Sequence, residues 1–399
     1  MSRTSKIVGI VAVVFLAVGL LWHPVVEPQI VRFPAGLTRT YHYQGSIVVF
    51  ADQTTGAPLA QPLTLPLQID RRLVGTDTGA HVALVKETDT ITAGPITQTV
   101  ENVFAIDRRN FKNVADPKAY TFTPANVVDR SGTYRLTYPM GVKSKGARYQ
   151  IFKPETGTAY TAVDASPSTG TVSGTHVVFL NAQLANTPVA LYEQAALAAR
   201  GFPTELTPQQ LAAQLKALGI DLNQVTAQLA RILSPSEMSI LAGALASPVP
   251  LQYLSGFRGS VAVEPRTGQI VRVAGVVDGI YVQPNLRALA PVLGVLTAHA
   301  GDPTVASLLT TFSRVSAAPA QPVYELRYSQ TPASVAGAAS DARSRARQLR
   351  LATVILPRGL IGLGVLTLVV GGLLAWRPRQ PGVVHGMAPS PQATGRHAA

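Results

Sequence analysis

Two uncharged apolar runs, one near each end of the chain, constrain everything between them. The first is Ile7 to Trp22, IVGIVAVVFLAVGLLW; it reaches spanning length once His23, Pro24, Val25 and Val26 are counted with it. About 20 apolar residues are needed to cross about 30 Å of hydrocarbon. The second is Gly359 to Trp376, GLIGLGVLTLVVGGLLAW, extended back to Leu356 if Arg358 snorkels to the headgroups. Each run closes on a tryptophan, a residue of membrane interfaces. The runs predict transmembrane helices at 7–26 and 356–376. Arg3 and Lys6 also resemble the basic start of a secretory signal, but no small-x-small cleavage site follows, which favours a retained anchor.

Two spans put both termini on one side of the membrane. Arg3 and Lys6 before the first, and Arg377 and Arg379 after the second, favour the cytoplasm. We therefore expect a plasma-membrane protein with a cytoplasmic N-tail, 1–6, and a disordered cytoplasmic tail, 377–399. The segment 27–340 is then extracytoplasmic. Ahead of the second span, 341–355 carries Arg343, Arg345, Arg347 and Arg350. It reads either as a juxtamembrane helix whose arginines meet anionic lipid or as a solvated stalk. Glycines 359, 362, 364, 371 and 372 either face lipid or let a helix approach closely, the first run with Gly9 and Gly19 being the obvious partner.

Composition agrees with this layout. Charged residues make up 14% of the chain and the mean hydropathy is +0.21, whereas soluble chains carry about 25% charge. The net charge of +13 is spread out, and no zinc-finger, RNP or phosphate-loop signature accompanies it, so nucleic acid is not expected as a partner. With no cysteine, disulfides, thiolate metal sites and a cysteine nucleophile are excluded.

Between the spans the pattern is that of strands. Tyr41 to Gln44, Ile47 to Phe50, His81 to Val85, Thr88 to Thr92 and Ile96 to Ile106 alternate polar and apolar residues and are rich in Thr, Val, Ile and Tyr. From about 186 to 246 the period changes to helical. Thr207-Pro208-Gln209-Gln210 and Ser234-Pro235-Ser236-Glu237 are capping boxes, and Leu211, Leu215 and Leu218 share one face. Strands return at Gly259 to Glu264 and Gln269 to Val277 around a Pro-Arg-Thr-Gly turn, followed by a second helical insertion at 285–315 and a last strand from Val323. The fold class is α+β and membrane-anchored: an antiparallel β-rich ectodomain, curled or closed into a barrel, with an inserted helical cap between two transmembrane helices.

Motifs of catalysis are missing from the pattern. The seven histidines show no helical metal spacing, and no G-x-S-x-G, H-E-x-x-H or phosphate loop occurs. Glu87 and Asp89 share a strand face but read as a solvated edge, because most carboxylates are exposed. We expect no enzyme, metal or cofactor. The cap is rich in Leu and Ala, and Val249 to Leu254 continues that character. Leu211, Leu215, Leu229, Leu241 and Tyr253 are the candidate ligand-binding positions, unless these helices merely cover the sheet.

Four stretches carry a resemblance: Val103 to Asn113 (VFAIDRRNFKN), Leu136 to Phe152 (LTYPMGVKSKGARYQIF), Val261 to Val271 (VAVEPRTGQIV) and Arg343 to Pro357. In this order they resemble an actinobacterial membrane-anchored family labelled porin PorA. The layout, a helix at each end of a β core with a helical cap, is also similar to that of class B scavenger receptors, which implies binding or passage of lipid by analogy of layout alone. The expected function is an envelope protein that binds or transfers a lipid or another hydrophobic ligand. The alternative is a structural or assembly partner of envelope proteins, self-association through the spans included. A pore ranks lower, because an outer-membrane barrel needs many spanning strands.

Overall fold

The computed structural model describes residues 3–376 apart from 35, 53–54 and 218. Leu218 and the tail 377–399, with Arg377 and Arg379, lie outside the described residues. The chain divides into two compact units, Met1–Ile30 with Arg350–Ala399, and Val31–Leu349.

The smaller unit opens with α1 (Arg3–Leu21), a π-helical turn at Trp22–Val26, and α2 (Glu27–Ile30). The helical stretch expected over 7–26 is present but bent, and it runs on to Ile30. Pro24 has no N–H to donate and its ring clashes with the preceding turn, and the segments Lys6–Leu21 and Pro24–Ile30 meet at 49°.

The larger unit is built on twelve strands: β1 (Thr38–Ala51), β2 (Pro58–Thr78), β3 (Val82–Ala93), β4 (Ile96–Asp107), β5 (Tyr120–Thr121), β6 (Arg148–Lys153), β7 (Thr158–Val172), β8 (Thr175–Pro188), β9 (Glu205–Leu206), β10 (Val249–Val263), β11 (Ile270–Pro284) and β12 (Gln321–Gln330). Eleven form one path, β5-β4-β3-β2-β1-β12-β11-β10-β8-β7-β6, with β9 added on β10. Every pair is antiparallel.

Alternation decides which side faces the core. On β1, Tyr41 and Tyr43 are buried while His42 and Gln44 are exposed; on β2, Leu67, Ile69 and Leu73 are buried while Gln68 and Asp70 are exposed. Inward residues of β1–β4 share a single core cluster with Phe152, Tyr160, Leu180 and Val263 from the other half of the sheet. Distant strands can share a core only if the sheet curls, and it forms a half-barrel. Its open side is crossed by the β4–β6 connection. Asn113 bridges Ile106 of β4, its N–H donates to Thr133 O at 2.7 Å, and Tyr134 bridges Ile151 of β6.

Six helices decorate this sheet before the last strand: α3 (Leu191–Ala199), α4 (Pro208–Ala217), α5 (Leu222–Leu229), α6 (Pro235–Ala246), α7 (Ala290–Ala298) and α8 (Pro303–Ser316). Both capping boxes close. Thr207 and Gln210 exchange side-chain-to-backbone bonds of 2.9 and 3.2 Å, and Ser234 and Glu237 do the same. The two helical insertions pack on each other: Leu229, Leu241, Leu296 and Val305 form one small core. Tyr253 and Val249 to Leu254 are not part of a cap, as expected from their apolar character, but part of β10. They alternate toward the same apolar cluster as Ile280 and Val323.

The basic segment also differs from expectation. Its helix, α9, spans Pro332–Arg350, beginning nine residues earlier than 341, and is docked on the sheet rather than free. Val335, Ala339 and Ala342 pack with Val172, Val177, Ala262 and Val271, while Ala338 joins the main core. Arg343 is spent on this docking, donating to Ser173 O and to Thr175 Oγ1. Arg347 and Arg350 are exposed.

The smaller unit is completed by a π-helical turn, Leu351–Ile355, and α10 (Leu356–Trp376). α10 pairs with α1. A Cβ on Gly364 would lie 2.7 Å from Leu16, one on Gly19 2.7 Å from Ile361, and one on Gly371 3.1 Å from Val8. Gly9, Gly359, Gly362 and Gly372 face open space. One helical stretch, Pro332–Leu374, is long and apolar enough to cross a membrane, and only 11% of its most apolar window is buried; the N-terminal segments meet the same test only as a bent pair.

Candidate functional site

One end of the sheet carries an apolar pocket. There β1 and β2 run on beyond β3, which pairs with β2 only from Leu67 onward. The cavity is about 440 Å³ and is walled by Phe50, Leu59, Phe202, Leu251, Tyr253 and Val323. A volume of this size falls within the range of small-molecule sites, roughly 300–1,000 Å³. Gln210, Gln214, Gln283 and Gln321 supply neutral polar groups, and no charged side chain lines the wall among the described residues. Phe202 is fixed edge-on to Tyr253 with centroids 6.3 Å apart, and the Tyr253 hydroxyl donates to Pro203 O at 2.6 Å. That bond satisfies the one polar atom that the ring brings into an apolar wall.

The five candidate residues fall into two places. Tyr253 lines the pocket, Leu211 is buried in the cluster behind it, and Leu215 packs against that cluster. Leu229 and Leu241 belong instead to the core of the two insertions, with 1% and 8% exposure. Phe202 and Leu251 were missed by the sequence reading. The signal available was the Gly201-Phe202-Pro203 break after α3, where an aromatic between helix breakers has no amphipathic face to join.

The second feature is a ladder of charge inside the curl. Arg71 donates to both Asp89 oxygens, at 2.9 and 2.8 Å, and lies 3.3 Å from Glu87. Arg135 stands 3.6 Å from the other Glu87 oxygen, which also accepts from Asn102. Farther along, Lys153 lies 2.7 Å from Asp278 and 3.1 Å from Glu155. Glu87 and Asp89 are therefore no solvated edge; they are 0% and 8% exposed because the sheet curls their face inward. Burial opposes the charge on Arg71, yet Asp89 and Glu87 hold its pKa well above the ordinary value. Burial likewise raises Asp278, only partly offset by Lys153. Tyr43, Tyr138 and Tyr160 are buried within the same core, so acids and bases here neutralise one another in a packed interior. At its edge Glu193, 3.5 Å from Arg200, is pushed up to about 7 by burial, with one carboxylate oxygen unpartnered.

The first three of the stretches that carried the family resemblance meet in space. Gly268, in the turn after Glu264, sits at φ +68° directly against the Tyr138 carbonyl, where any Cβ would collide. Tyr138 N–H donates to Gly268 O at 2.8 Å. Phe104 and Phe152 enclose the Arg130 guanidinium, with centroids 4.7 and 4.9 Å from its carbon. These motifs build the closure of the half-barrel.

The fold and site define a curled antiparallel half-barrel with a buried charge ladder and an apolar pocket at one end, on a chain with one helical stretch long and apolar enough to cross a membrane. The chain belongs to the porin PorA family, whose model matches residues 4–373. No curated protein matches it, and the expected likeness to class B scavenger receptors finds no support.

Proposed function

We propose that this is a cell-envelope protein, held in the membrane by its two apolar helical segments with both termini cytoplasmic, whose β-rich domain takes up the apolar part of a lipid-like ligand. The observation that carries the reading is the 440 Å³ pocket, walled by aromatic and aliphatic side chains with only neutral polar groups. A pore made by the strands fits less well. Such a wall needs an outward apolar band, and the outward side chains of β1 and β2 include His42, Gln44, Gln68 and Asp70.

The test uses the full-length chain in detergent, stripped of lipid and titrated with a fluorescent long-chain fatty acid. One saturable site is expected. Ala213→Trp, an exposed position on the pocket wall, and Leu59→Arg should each weaken uptake at least tenfold without lowering the unfolding temperature by more than a few degrees. A folded chain that takes up no probe, or that binds it equally well in both variants, rules the reading out.

A further inference from the structure

At the opposite end of β1 two arginines converge without an acid. Arg39 on β1 and Arg345 on α9 line one small cavity together with Phe33, Leu73, Phe111 and Gln269, and among the described residues no Asp or Glu lines it. Arg39 Nη2 donates to Gln269 Oε1 at 2.7 Å, and Arg345 Nη2 reaches the Arg32 carbonyl at 3.5 Å. Burial and the like charge of Arg39 press the Arg345 guanidinium down to about 10. The contrast with the charge ladder is informative. There, Arg71 and Lys153 each have a carboxylate within 2.8 Å; here the described lining residues supply none.

Two half-buried cations facing each other are costly unless an anion joins them. The cavity of about 20 Å³ has room for one or two water-sized groups. It therefore accepts the oxygens of an oxyanion while the rest of the molecule stays outside. Guanidinium groups suit phosphate oxygens, which they bind through paired N–H donors. Along the chain, Arg39 comes soon after the helix ending at Ile30, and Arg345 comes shortly before Arg350, where the apolar unit resumes.

We propose that the Arg39–Arg345 cleft is a phosphate-binding site that takes the phosphate of a membrane phospholipid headgroup or free phosphate. It stands apart from the apolar pocket. Arg39 and Phe50 lie eleven positions apart on β1, roughly 35 Å at strand spacing, so either site can fail its test without the other. The reading also replaces a diffuse basic helix with one defined cleft.

The full-length chain, delipidated in detergent, is titrated calorimetrically with dihexanoyl phosphatidylglycerol and separately with inorganic phosphate. One saturable site is expected, weakened at least tenfold in Arg345→Gln and in the double variant Arg39→Gln/Arg345→Gln, and unchanged in Arg347→Gln. If inorganic phosphate binds as tightly as the lipid and displaces it, the ligand is free phosphate; if it does not displace the lipid, the ligand is the headgroup. In phosphate-free buffer the double variant should unfold no lower than the parent chain, because a like-charge contact has been removed. Binding of neither probe, an equal loss in Arg347→Gln, or a lower unfolding temperature in the double variant would overturn the proposal.

Discussion

Glu193 shows what burial does to a single carboxyl. It is 3% exposed, sits on α3, and is pushed up to about 7, against about 4.3 for an exposed glutamate. The folded state therefore holds its proton more tightly than the unfolded chain does. Its contribution is largest below about pH 4.3 and is lost as pH rises toward 7, a decline of order 3 kcal/mol. Glu193→Gln cannot ionise, so it should flatten the unfolding temperature between pH 5 and 7.5 and raise it at the upper end. Equal slopes for the two proteins would show that the carboxyl is not the source. Glu87 and Asp89 teach the complementary lesson. Their spacing put them on one strand face, but only the direction of curl decided that the face points inward, toward Arg71 and Arg135.

Among the elements, β2 was the least legible. Pro58, Pro62 and Pro66 argue against a strand, yet β2 runs for 21 residues. Pro66 pairs with Ser46 and Pro58 with Ala51 of β1, Pro62 falls in the register shift between Val49 and Ala51, and β3 pairs only from Leu67, so no proline faces a β3 partner. The α1–α10 pair was more legible, since glycines in an apolar run permit close approach. Which glycines serve was not: Gly19, Gly364 and Gly371 meet the partner, and Gly9, Gly359, Gly362 and Gly372 do not. A Cβ on Gly371 would stand 3.8 Å from Val8 Cβ, the spacing of a disulfide. In this cysteine-free chain, Val8→Cys with Gly371→Cys should therefore cross-link under mild oxidation in membranes. Adding Gly364→Leu should abolish the cross-link and Gly9→Leu should not. Cross-linking that survives Gly364→Leu would mean that the helices do not pack at Leu16.

For the molecule as a whole, the core that joins the two helical insertions is distinct from the pocket, although Phe202, Gln210, Ala213 and Gln214 of the first insertion line the pocket. The insertions are joined to each other by the core around Leu229 and by the His299–Glu237 contact of 2.9 Å. Leu229 is 1% exposed there, and Leu229→Ala should cost about 2–5 kcal/mol while leaving fatty-acid uptake unchanged. If uptake falls in step with stability, pocket and insertions form one cooperative unit. The closure of the half-barrel draws on residues far apart in the chain, with Tyr138 against Gly268 and Phe104 with Phe152 around Arg130.

The chain's own chemistry determined the apolar helices, the alternating strands, the capped insertions and the absence of cysteine chemistry, because each is written in local period and composition. Curvature, partners across the sheet and the two cavities were decided only in three dimensions. A side chain at a given register is equally able to face solvent or core until the sheet curls. Two arginines some 300 positions apart, Arg39 and Arg345, become one site only when α9 docks on the sheet through Val335, Ala339 and Ala342.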